Sequence, residues 1–336
     1  MSSKPEAQGL NSESSNENNG GYSANVTHQN KTKRTHIIRN YKLRTSLESF
    51  TNKRERSFQT HHGRKQVLNR AIQDIFEGGY KIYDVDQLKL KHIQYLLDQW
   101  QAKGISTAEI KNRMSHLRWL AVKVGKPMMI PQSNKDLGIE ERKMPANDIN
   151  RAISRTTEDL AKIKDPCIQM SLKAQELFGL RRKESILFYP KRDYDAQQQI
   201  LNIEIGTKGG RPRVVPVLTE AQRSFLKEAM QFQKDRGIKA FIDKDKDGND
   251  RNYKKQMNLY KSQCEDAGLY NNHGLRHHYA QTRYLDLTGW QCPRKGGKTY
   301  QQMTDHEKSI DEKARLIVSE ELGHGREYVT RVYLGR

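Results

Sequence analysis

The segment Gly179-Leu180-Arg181-Arg182-Lys183-Glu184 closes an apolar run through Ile168, Leu172, Ala174 and Leu177. The run predicts a helix, which sets Arg181 at a helix end. Taken alone, such an arginine is a cation beside the negative pole of a helix dipole. Arg182 leaves an ambiguity of one residue, and the spacing to Glu184 favours Arg181. Three later segments change the weight of that arginine. Lys208 lies in Thr207-Lys208-Gly209-Gly210, His273-Gly274-Leu275-Arg276-His277 follows, and Leu322-Gly323-His324 precedes Tyr333 by nine residues. Each has a plain reading of its own: a turn lysine, surface or core histidines, a packed aromatic. The histidines at 273, 277 and 278 lack a Cys or carboxylate partner at zinc-ligand spacing.

Outward from these segments the chain predicts a mainly α fold with a small β-hairpin. Strands are expected at Ile200–Ile205 and Arg213–Val217, with the two glycines turning the chain between them. Upstream, Val67, Leu68, Ala71, Ile72, Ile75 and Phe76 recur at helical spacing until Gly78-Gly79. Leu88, Ile93, Leu96, Leu97 and Trp100 mark a second helix, ending near Gly104. Ser106-Thr107-Ala108-Glu109 has the pattern of a capping box ahead of Ile110, Met114, Leu117 and Ala121. Lys111, Arg113, Arg118, Lys123 and Lys126 make this helical domain basic. Four regions result: a basic tail at 1–56 too polar to order itself, a helical domain at 57–130, a Pro-containing linker at 131–155 and a second domain at 156–336. The stretch Lys31–Arg44 is either a solvated tail or an arm that orders on a polyanion.

Composition narrows the partners. Sixty Lys and Arg face forty Asp and Glu among 336 residues, a formal charge of +20. A surface kept soluble by charge accounts for part of this, and nucleic acid is the simplest polyanion to account for the rest. No apolar run approaches the ~20 residues of a membrane span, and the N-terminus lacks the apolar core of a secretory signal. Cys167, Cys264 and Cys292 are odd in number and widely spaced, which suits a reducing compartment. The expected setting is cytoplasmic, on DNA, with no membrane.

Breaking a phosphodiester requires an in-line nucleophile, cations on the non-bridging oxygens and a proton for the leaving oxygen. Arginine forks match phosphate oxygens and stay charged at working pH. Two Arg, two His, one Lys and one Tyr supply those roles. In this order, G-L-R-x-x-E, a turn lysine, H-x-L-R-H, then L-G-H with a tyrosine nine residues on resembles the tyrosine recombinase (phage integrase) family over 156–336. The helical domain resembles that family's core-binding (SAM-like) domain.

The resemblance implies a helical core-binding domain followed by an α+β catalytic domain. It implies that Arg181 and Arg276 hold the scissile phosphate, with Glu184 orienting Arg181. Lys208 would protonate the 5′ oxygen, while His273 and His324 would bond the phosphate and assist proton movement. Tyr333 would attack to give a 3′-phosphotyrosine. It further implies double-stranded DNA as partner, a homo-tetramer on two duplexes, integration or excision of a mobile element, and neither cofactor nor metal. A type IB topoisomerase-like enzyme and a non-catalytic DNA-binding protein of the same fold are the alternatives.

Two departures stand out. The gap from Arg276 to His324 exceeds the family's usual spacing, and 288–304, with Cys292-Pro293-Arg294-Lys295-Gly296-Gly297-Lys298, has the character of an inserted basic loop. Thr304-Asp305-His306-Glu307 then predicts a capped helix. The sequence given stops three residues after Tyr333, where many relatives carry a segment that docks on a neighbouring protomer; that segment is either missing or cut off here, and the resemblance does not fix how protomers couple. Asp243-Lys244-Asp245-Lys246-Asp247-Gly248 imitates the start of a calcium loop, but position twelve is Lys254 where a bidentate Glu is needed. A polar turn is expected there.

Overall fold

A computed structural model describes residues 41–53, 55, 57–141, 147–245, 247–249 and 251–336. The chain divides into two compact units, with the division between residues 143 and 144.

The first unit is helical. Helix α1 covers 41–51, and α2 (Phe58–Glu77), α3 (Leu90–Ala102) and α4 (Thr107–Lys123) follow. Each helix buries one stripe: Leu68, Ala71, Ile72 and Ile75 on α2; Ile93, Leu96, Leu97 and Trp100 on α3; Ile110, Met114, Leu117 and Ala121 on α4. Those spacings of three and four residues place the side chains on one helical face. The Ser106 hydroxyl accepts from the Glu109 amide, so the expected cap forms on the serine side.

Two of the expected boundaries move. Residues 41–51 were expected to belong to the tail, yet they form α1, with Leu43 and Leu47 inside the core of this unit. Lys42 and Arg44 masked a short apolar stripe of Leu43, Leu47 and Phe50. The tail expected over 1–40 lies outside the described residues. The linker expected over 131–155 is also shorter, because Leu137 and Ile139 pack into the first core and Ile153 packs in the second unit.

In the second unit, α5 (Thr157–Ala161) leads to α6 (Pro166–Phe178). Helix α6 is the central element, because it is apolar on two sides. Cys167, Met170, Ala174 and Phe178 enter one cluster, and Ile168 and Leu172 enter another. After α7 (Arg182–Ile186) and α8 (Pro190–Asp193) comes an antiparallel sheet of β1 (Tyr194–Asp195), β2 (Ile200–Ile203) and β3 (Arg213–Pro216) in that order. Leu201 pairs with Val215 on the buried face, and Asn202 with Val214 beside it. The hairpin is real but its strands are shorter than expected, and β1 adds a third strand. Lys208–Gly210 form a single 3-10 turn within the longer β2–β3 connection.

Helices α9 (Glu220–Arg236), α10 (Tyr253–Asp266), α11 (Gly274–Thr288), α12 (Asp305–Glu321) and α13 (Arg331–Leu334) complete the unit. The Thr304–Glu307 capping box opens α12 as expected. The calcium-like segment folds as a polar turn, in which the Asp245 carboxylate accepts from the amides of Asp247 and Asn249. Among the described residues, no helix is long and apolar enough to cross a membrane.

Candidate active site

The site forms where the end of α6, the start of α11 and the turn after α12 meet. Gly179 ends α6 with φ +59°. A Cβ there would lie 2.6 Å from the Tyr279 ring, so this position needs glycine for both its conformation and its space. The chain then reverses and presents Arg181 at the head of α7.

Arg181 is held on both sides. Its Nη1 donates to Glu184 Oε1 at 2.7 Å and its Nη2 to the Leu322 carbonyl at 3.0 Å. The other oxygen of Glu184 accepts from the Arg181 amide at 2.6 Å. Glu184 is buried and also pairs with Arg213 Nη1 at 2.7 Å. Burial works against its charge, but Arg213 and then Arg181 outweigh it and hold its carboxyl below the ordinary range.

Arg276 is 1% exposed. It donates to the carbonyls of Gly179 and Leu322, and its Nε donates to Tyr333 Oη at 3.4 Å. Desolvation pushes its guanidinium down to about 10, so it remains charged at neutral pH. Tyr333 Oη also lies 3.1 Å from His324 Nε2, which itself lies 3.4 Å from Arg276 Nη2. Burial, followed by the charges of Arg276, Arg181, Arg213 and Lys208, pushes His324 down to about 3. His273, just before α11, lies with its ring 6.3 Å from that of Tyr333, and burial followed by Arg276 lowers its pKa.

Five of the six expected site residues therefore converge: Arg181, His273, Arg276, His324 and Tyr333. Lys208 does not join them. It is exposed on its turn, and only its charge reaches the group, through His324. Tyr333 is 4% exposed, so the plain reading of a packed aromatic also describes its ring. The hydroxyl is what sets it apart, because it ends on an arginine and a histidine.

Two further residues of the site had no role assigned to them from the sequence. Arg213 shares the buried phase of β3 with Val215, and its Nε donates to the Glu321 carbonyl at 2.7 Å. An arginine in the inward phase of a strand signals a buried partner, and that signal was available in the sequence. His277, 3% exposed, lays its ring 4.5 Å from the Tyr333 ring. Burial, followed by the neighbouring His273, pushes it down to about 3.

The charge balance is direct. Two guanidinium groups, Arg181 and Arg213, share one carboxylate, Glu184, while Arg276 is held on backbone carbonyls with no carboxylate of its own, so positive charge is in excess. A tetrahedral oxyanion suits such a site. No group of three or more His, Cys, Asp or Glu placed to hold a metal ion occurs among the described residues.

Comparison with known proteins bears on the family and the fold. A family model described as "Integrase" matches residues 141–282, and one described as "Phage integrase, N-terminal" matches 41–130. The second takes in the described part of α1. Neither reaches His324 or Tyr333, whose place rests on the geometry above. No curated protein sequence matches the chain. Among solved structures, a Tn1549 transposon integrase in complex with a circular intermediate DNA is 13% identical, with a TM-score of 0.54 over 87% of this chain and 94% of that one. A lambda integrase dimer bound to a COC′ core site is 15% identical, with a TM-score of 0.53 over 88% and 96%. At these identities the likeness is one of fold.

Proposed function

Because the chain belongs to the tyrosine recombinase (phage integrase) family, we propose that it is a site-specific DNA recombinase that cleaves and rejoins double-stranded DNA through Tyr333. The observation that carries this reading is the Tyr333 hydroxyl held between Arg276 and His324, beside an excess of guanidinium charge. Arg181 and Arg276 take the non-bridging oxygens of the scissile phosphate, where charge develops in the transition state. Neutral His324 has a ring nitrogen able to accept the phenol proton. The phenol oxygen attacks phosphorus and the bond to the 5′ oxygen breaks. Lys208 supplies the proton that this oxygen takes up. The products are a 3′-phosphotyrosine and a 5′ hydroxyl, and the reverse step rejoins the strand with no external energy source. His273 donates to the phosphate. A tetramer on two duplexes, integrating or excising a mobile element, is the working assembly.

A labelled duplex should form a protein adduct that survives boiling in detergent. Tyr333→Phe should abolish the adduct and leave DNA affinity within a few-fold, because only the nucleophilic oxygen is lost. Adduct at wild-type yield in that variant rejects the assignment. Strand exchange between two labelled sites, measured beside relaxation of a supercoil, separates a recombinase from a topoisomerase.

A further inference from the structure

The 288–304 segment, set apart in the sequence as an insertion, turns a buried arginine toward the helix that bears Tyr333. Pro293–Lys295 form a 3-10 turn after buried Cys292, and Arg294 is 5% exposed. Arg294 Nη2 donates to the Arg331 carbonyl at 3.2 Å and its Nη1 to the Ile149 carbonyl at 2.7 Å.

Helix α13 has only four residues, and of its carbonyls that of Arg331 accepts from the C-cap amide of Gly335; the later ones lie past the last helical turn. Side chains from elsewhere in the unit bond the backbone along it, Arg294 sharing the Arg331 carbonyl with that amide. Besides Arg294 on Arg331, Gln281 donates to the Tyr333 carbonyl at 3.0 Å and Arg315 to the Gly335 carbonyl at 2.8 Å. Asn147 forms a two-point contact with the Arg336 backbone, donating at 2.6 Å and accepting at 3.1 Å. Gly335 has φ +76°, and a Cβ there would meet Asn147 Oδ1 at 2.6 Å and Arg294 Cγ at 3.0 Å. The backbone on both sides of Tyr333 is thus gripped at close quarters by Arg294 and Asn147.

We propose that Arg294 and Asn147 are positioning residues for Tyr333, and that the inserted segment serves to preset the nucleophile before DNA arrives. The inference rests on Tyr333 being the nucleophile. A short helix carrying a reactive hydroxyl would otherwise sample many placements, and attack requires one of them. The clamp matters in one direction only. Before cleavage, the protein alone must hold the phenol in line. After cleavage, the bond to phosphorus holds it there, so rejoining does not depend on the clamp.

That asymmetry is measurable with the full chain. Adduct formation is timed on a nicked suicide duplex at saturating DNA, rejoining is timed by adding a 5′-hydroxyl strand to purified adduct, and DNA affinity is measured separately. Arg294→Met keeps the length of the side chain and removes its donors. It should slow cleavage roughly tenfold or more, with rejoining and affinity within twofold of wild type. Arg294→Lys, which retains a donor for one carbonyl, should recover part of the loss. Should Arg294→Met fail to fold by thermal melt, Asn147→Ala, at a half-buried position, carries the same asymmetry at about threefold. Cleavage at the wild-type rate overturns the proposal. So does equal slowing of cleavage and rejoining, which marks general structural damage. Absence of adduct from the wild-type protein removes the nucleophile assignment itself, and the clamp with it.

Discussion

Tyr333 and Lys208 stand at opposite extremes of order within one unit. The tyrosine is 4% exposed, its hydroxyl bonded and the carbonyls around it gripped by side chains from α11, α12 and the 288–304 segment. The lysine sits exposed on the turn between β2 and β3, with no hydrogen bond or ion pair to its side chain among the described residues. Folding has already met the ordering cost of the first group. The second must still lose up to about 2 kcal/mol of side-chain entropy when it engages a substrate. On the function proposed above, the buried half would meet a phosphate as the protein stands, whereas the exposed lysine would take up its role on binding.

The largest effect expected from this contrast is at Arg276. Arg276→Ala should reduce cleavage on the order of a hundred- to a thousand-fold, the usual loss for a preorganised donor to a developing oxyanion. It should also lower the melting temperature, since the Gly179 carbonyl loses the donor that Arg276 supplies at roughly 1–3 kcal/mol, whereas the Leu322 carbonyl keeps Arg181. Arg276→Lys should rescue neither fully, because an ammonium cannot reproduce the fork. A variant that melts like wild type would mean that the arginine is not the buried cross-link the structure describes.

Lys208→Ala should behave differently. No contact of the folded state is lost, so melting and DNA affinity should stay within error. Cleavage should fall about a hundredfold, within the range of general-acid contributions. A 5′-bridging phosphorothioate, whose sulfur leaves without a proton, should restore it, while Arg276→Ala stays impaired on that substrate. If the thio substrate leaves Lys208→Ala slow, the lysine acts on the phosphate or not at all.

How much of this was legible in the sequence follows the same division. The stripes of α2, α3 and α4 and the capping box of α12 are local patterns, and the structure contains them. Arg181, His273, Arg276, His324 and Tyr333 were recognisable by order and spacing, and they converge. What escaped notice is polar and long-range. Arg213 meets Glu184, Arg294 meets Arg331, and Asn147 meets Arg336, the last pair 189 positions apart. Strand phase marks Arg213 as inward, but no periodicity names the partner of a buried polar side chain. Helix α1 escaped for another reason: its apolar stripe of Leu43, Leu47 and Phe50 is short and follows directly on a basic run, and the helix is held by packing against the core.

The smallest effect concerns acid. His277 and His324 are pushed down to about 3 from an ordinary 6.5, chiefly by burial. Unfolding releases both to the ordinary value, so between those limits the unfolded chain binds more protons. Their contribution to stability is complete above about 6.5 and is lost as pH falls through the window toward 3. Glu176, raised by burial, acts in the opposite sense. Glu184, lowered by Arg213 and Arg181 against the cost of burial, loses its contribution only below the ordinary carboxylate range. From pH 7 to 5.5 the histidines should therefore dominate. Melting temperature should fall across that interval, and His277→Phe, which keeps a ring against Tyr333 but cannot take a proton, should flatten part of the fall. A wild-type slope in His277→Phe would show that water already reaches this histidine. The fixed half of the site would then be open, and the contrast with Lys208 would lose its physical basis.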